Sequence, residues 1–282
     1  MVVAYGAATV TGGQSPVSLA CTPASGSLFP LGATTVTCTA TDALQRVSAC
    51  TTTVTVTSSP RLTVTRFVAF GDSITAGEDG NALSAYDPWA GPAPLASIIL
   101  VGSEYPRQLQ GQLQSRYLAQ SPSVVNAGVR GERAGDVETL TRFSRDVLGG
   151  GYQVVLLLEG ANDLVDAFFD DPAAMQAALD NLRSMARQAR SAGLKPFIAT
   201  LPPQNPNAVC VPRCRGMAAS LVVPYNDRIR SLAASEAVPV VDVYQAFGGD
   251  LTLLSTDGLH PNAQGYTRIA DAFFQAVRAT LE

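Results

Sequence analysis

The chain contains a single histidine, His260, in Asp257-Gly258-Leu259-His260. An imidazole acts as a general base only when it is oriented and its protonated form is stabilised. A carboxylate three residues earlier can fold back onto the ring to do both. A lone histidine is commonly structural, but this one follows an acidic turn just before a final helical stretch. A base needs a nucleophile, and Gly71-Asp72-Ser73-Ile74-Thr75 offers Ser73 where an apolar run turns into a helix. There the Ser73 N–H faces any bound anion, helped by the helix dipole. The plain alternative is a serine that merely caps the helix. No Gly-x-Ser-x-Gly elbow occurs, which argues against an ordinary α/β-hydrolase arrangement.

Two further stretches carry donors. In Asn126-Ala127-Gly128-Val129-Arg130-Gly131-Glu132, a glycine at 131 lets a backbone amide approach an oxyanion closely, although a turn glycine is the simpler reading. In Gly160-Ala161-Asn162-Asp163, the Asn162 amide could donate into the same crevice, or cap the next helix.

The elements that must position these residues alternate. Short apolar runs at 66–70, 123–126, 153–158, 196–201 and 238–243 suit buried strands. Helical stretches at 105–117, 134–148, 172–191, 223–234 and 262–280 lie between or after them. That order implies a parallel sheet covered on both faces, with right-handed crossovers. In such sheets the chemistry sits beyond the carboxyl ends of the strands, where all four stretches fall.

Residues 1–60 read differently. Thr34-Thr35-Val36-Thr37-Cys38-Thr39-Ala40-Thr41 and Thr51-Thr52-Thr53-Val54-Thr55-Val56-Thr57 alternate with period two, as half-buried strands do, and 42–46 supplies a turn. This is a small all-β module without histidine, and Ser58-Ser59-Pro60 is the natural boundary to a second domain at 61–282.

Hydrophobic residues form 46% of the 282-residue chain, enough for a full core, and the net charge is −4. An acidic chain is a poor partner for nucleic acid. No run approaches the ~18 apolar residues of a membrane span. Met1 to Gly6 lacks the basic start of a signal peptide and reads as strand. Neither a P-loop nor a Gly-x-Gly-x-x-Gly turn is present, so no nucleotide cofactor is expected. The five cysteines lack zinc spacing and suit disulfides in an oxidising, extracellular compartment. Cys210 with Cys214 could close a small loop; Cys38 could pair with Cys50 across a hairpin, or with Cys21.

The four blocks together resemble the SGNH/GDSL hydrolase superfamily, in the family's order, from about Arg66 onward. The resemblance implies a three-layer αβα, flavodoxin-like domain and a serine ester hydrolase. It implies Ser73 as nucleophile, His260 as base and Asp257 as its orienter. The Ser73 N–H, the Gly131 N–H and the Asn162 side chain become the oxyanion donors. Asp72, Asp163 and Trp89 are candidates for contact with substrate. Trp89 lies in a long Gly/Pro/Ala-rich insertion at 78–102, whose apolar stretches (87–90 and 95–101) could line a pocket for short or medium acyl chains. The loop at 202–215 could form the opposite wall. A carbohydrate acetylesterase and a serine acyltransferase on the same scaffold are the alternatives.

Residues 1–60 resemble a hyalin-repeat (HYR) module, an immunoglobulin-like extracellular sandwich. The resemblance rests on Cys21-Thr-Pro-Ala-Ser-Gly-Ser-Leu-Phe-Pro-Leu-Gly32, Thr35-Val-Thr-Cys-Thr-Ala-Thr-Asp42 and Cys50 to Val56. It implies contact with a surface or polymer.

Overall fold

The structure is a computed structural model that describes residues 1–78, 80, 102–169, 173–208 and 216–282. The chain divides into two compact units, Met1–Pro60 and Arg61–Glu282.

In the first unit, β1 (Val2–Val3) pairs with β3 (Ser27–Leu28), and β2 (Ser18–Thr22), β4 (Gly32–Thr41) and β5 (Val47–Val56) form a three-stranded sheet; all pairings are antiparallel. Asp42 builds the β4–β5 turn: its carboxylate accepts from the backbone N–H of Leu44 and Arg46 and from the Arg46 guanidinium. The core is small, consisting of Phe29, Val36, Cys38 and Val56. At the end of β5, Val54 and Val56 turn inward while Thr53 and Thr55 are exposed, as half-burial requires; residues 47–53 are exposed throughout.

Cys21, Cys38 and Cys50 lie side by side across the three strands. The bond joins Cys21 to Cys38, and Cys50 is an exposed free thiol. This is the second of the two pairings the sequence left open. Either strand neighbour of Cys38 was in register, which spacing along the chain could not reveal. Cys210 and Cys214 lie outside the described residues.

The second unit is a five-stranded parallel sheet: β6 (Arg66–Gly71), β7 (Ser123–Gly128), β8 (Val154–Leu158), β9 (Lys195–Ala199) and β10 (Val240–Val241), in the order β10-β9-β8-β6-β7. All five residues of β8 are buried, as an unbroken Val/Leu run in a central strand must be. The helix Tyr105–Arg116 packs with the final helix Ala263–Leu281, where Tyr105 and Phe273 stack with ring centroids 5.0 Å apart. The helices Val137–Phe143, Ala161–Phe169, Ala174–Ser191 and Ala219–Ser235 form a second group. Right-handed crossovers place the two groups on opposite faces of the sheet.

The chain runs outward from β6 to β7, then returns across β6 to β8. The crevice between the carboxyl ends of β6 and β8 is therefore the switch point of the sheet.

Two elements differ from the sequence pattern for reasons visible in the structure. The helix expected from 134 begins at Val137, because the N–H groups of Ala134 and Gly135 donate to the Asp163 carboxylate. The strand expected over 238–243 shrinks to Val240–Val241, because Asp242 caps a helix at Val243–Phe247 by accepting from the Gln245 N–H.

The cysteine geometry yields a direct test. Alkylation of the native protein without reductant should label Cys50 and spare Cys21 and Cys38. A Cys38–Cys50 peptide in a non-reducing digest would contradict it.

Candidate active site

Ser73 is the first residue of a short helix, Ser73–Ala76, immediately beyond β6. Its cap is Asp72, whose carboxylate accepts from the Ile74 N–H at 2.9 Å, so Ser73 is not the capping residue. The Ser73 hydroxyl is free for another partner and finds His260: Oγ lies 2.9 Å from Nε2. On the other side of the ring, Nδ1 lies 2.5 Å from Asp257 Oδ2. Asp257 Oδ1 accepts from the backbone N–H of Leu259 and His260, each at 3.0 Å, which folds the turn back on itself.

An ionised carboxylate can only accept, so Nδ1 carries the proton and Nε2 presents its lone pair to the Ser73 hydroxyl. Burial alone would raise the Asp257 pKa. The hydrogen bond from the His260 ring and those from the two backbone N–H groups outweigh it, and the carboxyl is held below its ordinary value. Ser73, His260 and Asp257 are each at most 2% exposed. The low local dielectric strengthens each link.

Close approach matters at Gly80. A Cβ there would come within 2.4 Å of Asp257 Oδ1, so only glycine lets the chain pass against this carboxylate.

Polar residues of the same sequence blocks tie the Gly131 and Asn162 loops to this relay. Asp72 also accepts from the Ala161 N–H at 3.3 Å, tying the Ser73 turn to the helix that bears Asn162. Asn162 Nδ2 donates to the Glu132 carbonyl at 2.8 Å, which leaves its second amide proton for another acceptor. Gly131 adopts φ +73°, a left-handed conformation that glycine reaches without strain. Beside it, Glu132 is paired with Arg142, whose guanidinium lies 3.8 Å from the Phe70 ring centroid.

The structure buries two of the residues expected to contact substrate, Asp72 and Asp163. Asp72 and Asp163 are at most 1% exposed, and their oxygens are occupied by backbone N–H groups: Ile74 and Ala161 for Asp72, Ala134 and Gly135 for Asp163. They hold the loops that surround the site. Trp89, the 95–101 stretch and residues 209–215 of the proposed wall lie outside the described residues.

Sequence reading passed over three charged residues. Glu78 and Arg130 form an ion pair beside His260, and Glu159 sits at the end of β8. Only adjacency to Ser73, Gly131 and Asn162 along the chain could have pointed to them.

Glu159 is 1% exposed and neither of its oxygens meets a donor among the described residues. Burial, with Asp72, Glu132 and Asp163 nearby, raises its pKa well above the usual carboxylate value. Burial likewise raises Asp72 to about 7 and Asp163 to about 6. A carboxyl whose native pKa is raised keeps its proton after the unfolded chain has lost it. Its contribution to stability therefore falls as pH rises above the ordinary carboxylate range toward the native value. Glu159→Gln removes one such group, so its melting temperature should gain on that of the wild type between pH 5 and pH 8. A margin constant across that range in calorimetry would contradict this.

No curated protein matches the chain at a significant level. Solved structures do. LAE5, an alpha/beta hydrolase enzyme from the metagenome of Lake Arreo, Spain, is 25% identical with a TM-score of 0.56, covering 76% of this chain and 94% of that one. A lipase/acylhydrolase from Enterococcus faecalis is 24% identical with a TM-score of 0.57, covering 77% and 97%. Axe2, an acetylxylan esterase from Geobacillus stearothermophilus, is 20% identical with a TM-score of 0.56, covering 78% and 96%, and like the E. faecalis protein it shows a shared fold. The GDSL-like Lipase/Acylhydrolase family matches residues 69–268, a span that holds the Ser73 turn, both donor loops and the Asp257–His260 turn. The chain belongs to the GDSL-like lipase/acylhydrolase family and is a serine ester hydrolase.

Proposed function

We propose that the protein hydrolyses carboxylic esters of short to medium acyl chains through an acyl-enzyme on Ser73, with His260 as base and Asp257 as the residue that orients and stabilises it. The observation that carries this reading is the buried relay from Asp257 Oδ2 through the His260 ring to Ser73 Oγ, with links of 2.5 Å and 2.9 Å.

As Ser73 Oγ attacks the ester carbonyl carbon, its proton passes to His260 Nε2. The Asp257 carboxylate stabilises the imidazolium that results. The tetrahedral oxyanion takes hydrogen bonds from the Ser73 N–H, the Gly131 N–H and the free amide proton of Asn162. Collapse expels the alcohol, which leaves with the proton from His260. Water, deprotonated by the same nitrogen, then attacks the acyl-enzyme, and the acid is released with Ser73 restored.

For the first unit we infer an HYR-like, immunoglobulin-type module that holds the enzyme at a surface or polymer outside the cell. The sequence motif around Cys21 and Cys38 supports this, as does the disulfide between them, since such bonds persist in oxidising compartments. On this view residues 61–282 are the catalytic domain.

On p-nitrophenyl acetate, Ser73→Ala should lose about 10⁴-fold or more in kcat, and Asn162→Ala about 10²–10³-fold. Asp257→Asn should cost about 10⁴-fold, because it favours the wrong tautomer. Full activity in Ser73→Ala would end the proposal. A panel of acyl p-nitrophenyl esters beside acetylated polysaccharide reads the substrate class. Retention on the polymer should vanish when residues 1–60 are removed; unchanged retention would refute the anchoring role.

A further inference from the structure

The relay has a second carboxylate beside it. Glu78 Oε2 lies 3.8 Å from His260 Nε2, the same nitrogen that meets Ser73 Oγ at 2.9 Å. Glu78 is 1% exposed and is gripped by Arg130, with Nε at 2.9 Å from Oε2 and a terminal guanidinium nitrogen at 3.2 Å from Oε1. Its backbone is equally fixed: its N–H donates to the Ser73 carbonyl, and its own carbonyl accepts from the Tyr266 hydroxyl. Arg130 immediately precedes Gly131, so this ion pair links the nucleophile turn to the loop that presents the Gly131 N–H.

We propose that Glu78 and Arg130 are a positioning pair: the carboxylate steadies the protonated His260 ring at Nε2, while Arg130 holds that carboxylate beyond hydrogen-bond distance so that Nε2 stays with Ser73. The inference rests on the reading of Ser73 as nucleophile and His260 as base. Two carboxylates then flank the ring, Asp257 at Nδ1 in direct hydrogen bond and Glu78 at Nε2 at 3.8 Å. Asp72, at the start of the Ser73 helix, also interacts electrostatically with the ring. An unguarded Glu78 would draw a proton onto Nε2 and so take that nitrogen's lone pair from the Ser73 hydroxyl. It would also favour the imidazolium in the resting enzyme, where a neutral ring is needed. The guanidinium offsets both effects, and its two-pronged grip sets the distance. The same grip braces the Gly131 loop, so the pair couples the oxyanion donor to the base.

The test is the acid limb of kcat/KM against pH, which reports the base of the free enzyme. Glu78→Gln leaves a positive charge nearby without its partner, so the limb should move to lower pH. Arg130→Gln leaves the carboxylate without its counter-charge, so the limb should move to higher pH. Each shift is expected to be about one pH unit. Both variants should also lose about ten- to a hundredfold in kcat/KM at the optimum, as positioning slackens. Arg130→Lys keeps the charge but not the fork, and should hold the limb at its wild-type position while part of the rate is lost. A merely structural pair would lower rates without moving the limbs. Limbs that stay in place in both glutamine variants, or move in the same direction, overturn the inference. Ser73→Ala run alongside separates the two levels: activity retained there sinks the underlying mechanism, whereas an inactive Ser73→Ala with unmoved limbs sinks the pair alone.

Discussion

A serine hydroxyl becomes a nucleophile only when a neutral imidazole is held in line with it, and holding that ring is what the second unit is organised around. The ring touches protein at both nitrogens, with Asp257 at 2.5 Å and Ser73 at 2.9 Å. These two partners come from opposite ends of the α/β unit, separated by more than 180 residues. One rides on the turn after the central strand β6; the other precedes the final helix. The parallel sheet makes the meeting possible, because the carboxyl ends of all its strands share one edge.

Burial of that relay has a cost elsewhere. The turns that carry Ser73, Gly131 and Asn162 pack around it, and their backbone N–H groups need acceptors away from water. Asp72 and Asp163 supply them, each bridging two N–H groups. The result is a layer of buried carboxyls, Asp72, Glu159 and Asp163, whose pKa values burial drives upward. Among the described residues Glu159 meets no donor, so it is best accommodated as the neutral acid. Asp257, buried in the same unit, is held downward instead, because it receives the imidazole N–H as well as backbone donors. Ionisation is thus favoured where the chemistry needs charge and resisted in the scaffold behind it.

The first unit follows a different logic. With four buried apolar residues it has little core, and the Cys21–Cys38 crosslink between adjacent strands compensates by limiting the freedom of the unfolded chain. The Asp42 carboxylate, held down to about 2 by the Arg46 guanidinium and by backbone N–H groups, serves as a local staple for the β4–β5 turn.

How far the sequence reached can be judged at particular residues. The alternation of apolar runs with helical stretches carried the parallel sheet, because a strand buried on both faces must be apolar throughout, as β8 is. The short spacing in Asp257-Gly258-Leu259-His260 carried the base and its carboxylate, because a tight turn is decided by neighbours in the chain. Ser73 was legible from its block and from family resemblance, not from its own type. Tertiary structure alone decided the rest. It chose between Cys21 and Cys50 as the partner of Cys38, since both lie in register on flanking strands. It turned Asp72 toward the Ala161 N–H and Asp163 toward those of Ala134 and Gly135, all in loops distant in sequence. It also brought Glu78 and Arg130 together beside His260, a contact that spans 52 residues on one side and more than 180 on the other. Local patterns determine which elements form and which turns carry reactive groups; only the packing of those elements sets which distant charges meet, and so which of them act on the serine.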